Sequence, residues 1–383
     1  PYLLLLSATP HQGKTEQFKS TAQPGNPEIY EKTDRLDRDT VKPHVIRTEK
    51  RAAVDADGRP LFTPRITQLI PVKWKQEHRD QKTLYESVTE YVRYGYNKAL
   101  EEKRTYIGFL MVLMQRLVSS STRAIRRALE RRLQVLETGP GIFRSEVSLS
   151  EIWAESTGQQ RLDELLIRIG EGLRDEREEV SRLASLARRC EVTHPDARAE
   201  TLVELMYKQR AEENNPQLKF LVFTEFIPTQ EMLREFLEIR GFSVVCLNGS
   251  MTLAERLEAQ RNFAEYADVL VSTEAGGEGI NLQFCHIVFN YDLPWNPMRV
   301  EQRIGRIDRI GQRHPVKVYN LVFDNTVEHR VREVLEEKLL IILEEFGVDK
   351  LSDILDPEES EADFERLYRD ALLRPETLGD KID

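Results

Sequence analysis

Apolar residues recur along this chain with two different periods. Between residues 218 and 323 they fall into short separate runs: LKFLVF (218–223), FSVVCL (242–247), VLV (269–271), HIVFNY (286–291) and VKVYNLV (316–322). Runs of that length, rich in Val, Ile, Leu and Phe, read as buried strands. The stretches between them carry helical spacing; Met232, Leu233, Phe236 and Leu237 stripe one helix that Gly241 ends. After an Asn248-Gly249-Ser250 turn, Thr252 and Glu255 are spaced as a capping box for the next helix. Strands alternating with helices predict an α/β fold with a parallel sheet, binding its ligands off the carboxyl ends of the strands.

From about residue 76 to 215 the spacing is mainly helical. Leu84, Val88, Tyr91, Val92 and Tyr96 form one amphipathic stripe, and Leu202, Val203, Leu205 and Met206 another. Thr138-Gly139-Pro140-Gly141 is the clearest break. Within this block Arg123, Arg126, Arg127, Arg131 and Arg132 crowd the outer face of a helix whose Ile125, Leu129, Leu133 and Leu136 face inward. Such a face can hold DNA phosphates or can be a solvated surface with acidic partners; a net-acidic chain favours the second. Ile66 to Val72 reads as a strand entering the second half. Residues 25 to 64 read as an irregular crossing, Val327 to about Phe346 as a long helix, and Phe364 to Leu373 as a last helix before an acidic tail.

The densest chemistry lies between Asp268 and Gln312. A strand ends at Val271 and is followed by Ser272, Thr273 and three closely spaced glycines, Gly276, Gly277 and Gly279, a loop whose backbone amides can approach an anion. A second strand leads through Asp292 and Pro294 to Trp295-Asn296-Pro297, where Asn296 can cap a helix with proline at its first position. The spacing predicts that helix over 297–310. Gln302, Arg306 and Arg309 then share one face, and Val300, Ile304 and Ile307 the opposite one. Guanidinium forks one turn apart suit the spread negative charge of a phosphoryl group in transfer.

VSTEAGGEGINLQ (271–283), QRIGRIDRIGQ (302–312) and the DLPWNP between them resemble motifs V and VI of superfamily-two helicase-like ATPases of the Swi/Snf type, more narrowly their bacterial RapA (HepA)-like branch. KFLVFTEF (219–226) resembles motif IV, and LLLLSATPHQGK (3–14) resembles motif III at the end of the first RecA-like lobe. The resemblance implies a RecA-like second helicase lobe with a large helical insertion and a fragment of the first lobe. It divides the chain into a first-lobe remnant with its exit segment (1–50), a helical linker or protrusion (51–215), the second lobe (216–330) and C-terminal helices with an acidic tail (331–383). It further implies an ATP-dependent translocase or remodeller of double-stranded DNA, with RNA polymerase or another nucleoprotein as a further partner. Arg306 and Arg309 would be arginine fingers, and Gln302, Gly277 and Gly279 would serve the nucleotide. Thr224, Ser272, Thr273 and Asn281 would meet nucleic acid, while Ser7, Thr9 and Trp295 would couple the two. ATP and Mg²⁺ would be held mainly by a first lobe, since no acidic Mg²⁺ motif follows in this chain; no metal ligand is assigned here. An RNA helicase of the same superfamily and a non-catalytic helicase-like interaction module remain alternatives.

ATPHQGKT (8–15) also satisfies a loose phosphate-loop pattern. Pro10, however, removes a backbone donor inside that cradle, which favours the motif III reading. The apolar run Tyr2–Leu6 at the start reads as a central strand of a longer protein.

Composition changes this picture little. With 383 residues, 40% of them hydrophobic, the chain can fill two cores. A net charge of −10 means that any contact with DNA must come from local grooves. Cys190, Cys246 and Cys285 are too scattered for a disulfide framework or a zinc site and read as core thiols. Nothing resembles a signal peptide or a membrane span, which predicts a cytoplasmic protein; with the resemblance, a nucleoid-associated monomer is expected.

Overall fold

The computed structural model describes residues 53–102, 105–138, 176–277, 280–294, 297–324, 326 and 329. Ser7, Thr9, Gly279 and Trp295, together with the readings placed on 1–52, on the break at 139–141 and on the C-terminal helices, lie outside these residues.

Six parallel strands form one sheet in the order β1-β6-β5-β2-β4-β3. They are β1 (Arg65–Val72), β2 (Phe220–Phe223), β3 (Val244–Leu247), β4 (Val269–Ser272), β5 (Ile287–Asn290) and β6 (Val316–Phe323). Strand β2 is central, and the chain turns to one side of it for β3 and β4 and to the other for β5 and β6. That reversal opens a crevice at the carboxyl ends of β2, β4 and β5.

Period-two alternation assigns the two faces of the sheet. Phe220, Val222, Val269, Val271, Ile287 and Phe289 pack against helices α5 (Ala197–Glu212) and α6 (Ile227–Glu238). Leu221, Phe223, Leu270 and Val288 face the opposite core with Phe263 of α7 (Leu253–Glu265). Each such fully buried side chain contributes about 1.5–3 kcal/mol. The predicted capping box forms: Glu255 N donates to Thr252 Oγ1 at 3.4 Å and Thr252 N to Glu255 Oε2 at 2.7 Å. Gly241 adopts a φ of +82° at the end of α6, as a left-handed stop requires.

Helices α1 (Arg79–Glu101), α2 (Thr105–Ser120), α3 (Thr122–Thr138) and α4 (Glu176–Thr193) form a second core of their own. That core is continuous with the sheet half. Phe226, the residue before α6, is buried in it, and Trp74 touches both cores while stacking on Phe323 at 4.2 Å. Asp196 caps α5 and also accepts from Gln81 Nε2 (2.7 Å) and the Tyr291 hydroxyl (2.9 Å), tying α1 to the end of β5.

The structure differs from expectation in four places. Strand β1 pairs along its whole length with β6, and α5 covers the sheet, so residues 65–72 and 197–212 build the sheet half although they fall within the 51–215 segment. The helix beginning at Pro297 stops at Ile304, because Gly305 follows and Arg306 N and Ile307 N bond three residues back. The glycine-rich stretch opens as a helical turn, α8 (Glu274–Gly277). Arg132 is buried instead of lying outside: it donates to both Glu176 oxygens at 2.8 and 3.0 Å, which compensates the charge. The other arginines of that helix have partners, mostly acidic: Arg123 pairs with Glu191 and Glu235, Arg126 with Glu191 and Glu130, Arg127 with Glu231, and Arg131 bonds Gln134. Cys190 and Cys285 are buried, while Cys246 is half-buried on the outer strand β3. No described helix is long and apolar enough to cross a membrane.

Candidate nucleotide and nucleic-acid site

The site grows from the crevice at the strand ends. Three buried strands deliver their last residues side by side, and α9 (Pro297–Ile304) follows the last of them. Val300, Ile304 and Ile307 seat it in the core, as the spacing predicts.

At the centre is an arginine that the i, i+4, i+7 face does not include. Arg303 is 3% exposed. Its Nη1 donates to the Asp292 carbonyl at 2.8 Å and lies 3.3 Å from Asn290 Oδ1, and its Nη2 donates to Glu274 Oε1 at 3.0 Å. The guanidinium sits over the Phe223 ring at 5.4 Å. Arg299, one turn earlier, donates to the other Glu274 oxygen at 2.8 Å. Burial pushes the Glu274 carboxyl up, but Arg303 and Arg299 outweigh it and hold the group below its ordinary range. Glu274 thus clamps the glycine-rich turn to α9. Gly276 sits against the turn after β3, so that a Cβ there would lie 2.5 Å from the Leu247 carbonyl.

Asp292 is a second junction. Its Oδ2 accepts from Thr224 Oγ1 (2.6 Å) and Ser120 Oγ (2.7 Å), and its Oδ1 accepts from Glu225 N (2.8 Å). Glu225, itself buried, pairs with Arg116 of α2; burial pushes its carboxyl up against the pull of that arginine.

The predicted contacts are distributed unevenly. Thr224, Ser272 and Thr273 do come together, Thr224 N donating to the Ser272 carbonyl at 3.1 Å. Yet all three are buried, and the Thr224 and Ser272 hydroxyls donate to Asp292 and to the Thr273 carbonyl. As placed, the Thr224 and Ser272 hydroxyls make their hydrogen bonds at the strand ends. Gly277 closes the helical turn α8. Asn281 is exposed, its carbonyl accepting from Gln260 Nε2 at 2.8 Å. Gln302 is exposed, and Arg306 and Arg309 are half-buried in the turns after α9. These turns are knitted to the glycine-rich segment: Leu282 N donates to the Arg306 carbonyl (3.1 Å) and Gln283 Nε2 to the Ile310 carbonyl (2.7 Å). Buried Gln312 donates to the Gln283, Cys285 and Ile307 carbonyls and accepts from Arg313 N and His314 N. Arg309 rests its Nε on the Gly305 carbonyl at 2.9 Å and has no ion-pair partner among the described residues.

Comparison with known proteins bears on this arrangement directly. The family described as "Helicase conserved C-terminal domain" matches residues 197–311, from the start of α5 through the knitted turns. Over residues 197–311 the chain is similar to helicase C-terminal domains. The chain is 47% identical over 137 residues to the "Uncharacterized ATP-dependent helicase YqhH" of Bacillus subtilis, a match covering 36% of this chain and 24% of that protein. It is 32% identical over 197 residues to the "RNA polymerase-associated protein RapA" of Pseudomonas aeruginosa, covering 48% of this chain and 20% of the relative. The chain therefore spans a quarter or less of the length of these relatives. A superposition on the "Sulfolobus solfataricus SWI2/SNF2 ATPase core in complex with dsDNA" gives a TM-score of 0.44 at 18% identity, covering 94% of this chain and 64% of that one. Arg303, Glu274, Asp292 and Gln312 are the organising side chains of this arrangement that spacing alone did not single out. The signal available for Arg303 was its place one residue off the exposed face, directly before buried Ile304.

Proposed function

We propose that this chain supplies the second-lobe half of a nucleotide site in an ATP-dependent translocase or remodeller of double-stranded DNA. The observation that carries the reading is the division of labour among neighbouring arginines. Arg299 and Arg303 are consumed by Glu274, whereas Arg309 keeps its terminal nitrogens clear of carboxylates among the described residues. A guanidinium left in that state, half-buried in turns bonded to Leu282 and Gln283, suits a phosphoryl group that approaches from a facing lobe. Arg306 precedes it on the same half-buried turns and shares the role of arginine finger, with Gln302 on the helix before them.

The donor set of the site also fits the proposed split of cofactors. Glu225, Glu274 and Asp292 are each engaged by arginines, hydroxyls or an amide, so they are poor ligands for Mg²⁺, and the metal and the β- and γ-phosphates fall to a facing first lobe. When bound, ATP supplies the transferred phosphoryl; the residues here orient and stabilise its charge. Exposed Asn281 is the residue that would meet duplex DNA. The names of the relatives make RNA polymerase a candidate protein partner, and a cytoplasmic, nucleoid-associated location accords with that.

ATP hydrolysis by the full-length protein, measured with duplex DNA, with structured RNA and with neither, tests the reading. Stimulation by duplex DNA supports it, stimulation by RNA alone favours an RNA helicase, and no turnover under any condition leaves a non-catalytic interaction module. The 383-residue chain alone should turn over no ATP.

A further inference from the structure

The helical block reaches into the site by a route that its apolar packing does not require. Helices α3 and α6 already join the block to the sheet half, and Phe226 fills the core of α1 to α4. In addition α2 sends Arg116, with its side chain 10% exposed, and Ser120, fully buried, to the strand ends. Arg116 pairs with Glu225 and lies over the Phe226 ring at 6.0 Å. Ser120 Oγ donates to Asp292 Oδ2 at 2.7 Å and shares a 2.8 Å bond with Thr229, which Ser121 also contacts at 2.8 Å. From there the contacts are unbroken: Glu225 N to Asp292 (2.8 Å), the Asp292 carbonyl to Arg303 (2.8 Å), and Arg303 to Glu274 and so to Arg299.

We propose that Arg116 and Ser120 are positioning residues, through which the helical block fixes Asp292 and thereby sets α9 and the turns that carry Arg306 and Arg309. Charge and desolvation favour this over passive packing. A buried carboxylate such as Glu225 is costly unless paired, so the block must sit where Arg116 can reach it. Asp292 accepts three hydrogen bonds with its carboxylate, and Ser120 is the donor that comes from outside the sheet half. Whatever moves α2 relative to β2 therefore loosens the same carboxylate that faces Arg303. A ligand or partner seated on the helical block would be felt at the arginines without touching them. This role in turnover rests on the reading above, whereas the positioning itself does not.

Hydrogen exchange resolved by segment on the chain tests it, with the variants Arg116→Met, Arg116→Lys and Ser120→Ala. Arg116→Met should speed exchange about tenfold in 274–277 and 297–309 while leaving α1 (79–101) protected. Arg116→Lys, which keeps the charge, and Arg116→Met combined with Glu225→Gln should restore most of that protection. In the full-length protein the same variant should lower kcat for ATP with KM little changed. Unchanged exchange in 297–309 would overturn the proposal whatever the turnover does. Altered exchange with no ATP hydrolysis even by the wild type would count against the motor reading instead. Should Arg116→Met loosen every segment alike, Ser120→Ala decides, and protection at 297–309 equal to wild type would overturn the proposal.

Discussion

Removing one charge, by Glu274→Gln, isolates the clamp between the glycine-rich turn and α9. The amide keeps the shape of the carboxylate, so no cavity forms, but only its oxygen can accept, and its NH2 faces the other arginine as a second donor. Of the two hydrogen bonds, at 2.8 Å from Arg299 and 3.0 Å from Arg303, one loses its charge assistance and the other is lost. Hydrogen bonds to charged groups contribute about 1.5–3 kcal/mol and neutral ones about 0.5–1.5. The Arg303 bond is almost fully buried and keeps its full value, while Arg299, 29% exposed, is discounted for screening. The sum is about 1.5–2 kcal/mol, and a urea slope of about 2 kcal/mol/M turns that into a midpoint shift of about 0.7–1 M. Because the arginines hold the folded-state carboxyl below its ordinary value of 4.5, the contribution is complete above that pH. It fades as pH falls through the lower folded-state value. Urea unfolding followed by circular dichroism near pH 7 and stepwise into acid should show the gap between variant and wild type closing below about pH 4.5. A midpoint shift under about 0.2 M near neutral pH, or a gap independent of pH, would refute the clamp.

Two further outcomes follow from the geometry. Gly276→Ala would place a Cβ 2.5 Å from the carbonyl carbon and oxygen of Leu247 and 2.6 Å from Asn248 N, all backbone atoms that cannot rotate away. It should lower the melting temperature by an amount equivalent to about 1–3 kcal/mol, and a wild-type melting curve would show that the turn is looser than described. Arg127→Ala with Arg131→Ala should leave duplex DNA affinity and its salt slope nearly unchanged, because Arg127 is paired with Glu231 and Arg131 bonds Gln134; a shallower salt slope would mark that helix as a phosphate contact.

How far the sequence carries can be read from individual residues. Strands β2 to β6 were legible because alternation of short apolar runs with helical stripes is set by burial on both faces of a parallel sheet. The Thr252 cap and the Gly241 stop were legible because each is a local device. The end of α9 was not, since the apolar spacing of Val300, Ile304 and Ile307 continues past Gly305 although the backbone tightens there. Gln312, which satisfies five backbone groups at once, leaves no periodic signal. Arg132 sat in a run of arginines that looked uniformly exposed, and only its partner Glu176, far along the chain, distinguishes it. Arg116 and Asp292 are likewise joined by tertiary contacts between elements distant in sequence. The buried hydroxyls of Thr224 and Ser272 show the converse: a polar residue next to a motif can also serve the scaffold.

Arg309→Ala in the full-length protein, assayed for DNA-stimulated ATP hydrolysis alongside melting temperature and nucleotide-free DNA affinity, tests the central claim most directly. The described structure gives Arg309 one carbonyl contact and no carboxylate, so truncation should cost the fold at most about 1 kcal/mol. A guanidinium that stabilises a phosphoryl transition state contributes on the order of 10³ to 10⁵ in rate. The account predicts that turnover collapses while melting and DNA binding hold, and turnover within about tenfold of wild type, a factor of roughly 1.4 kcal/mol, would contradict it.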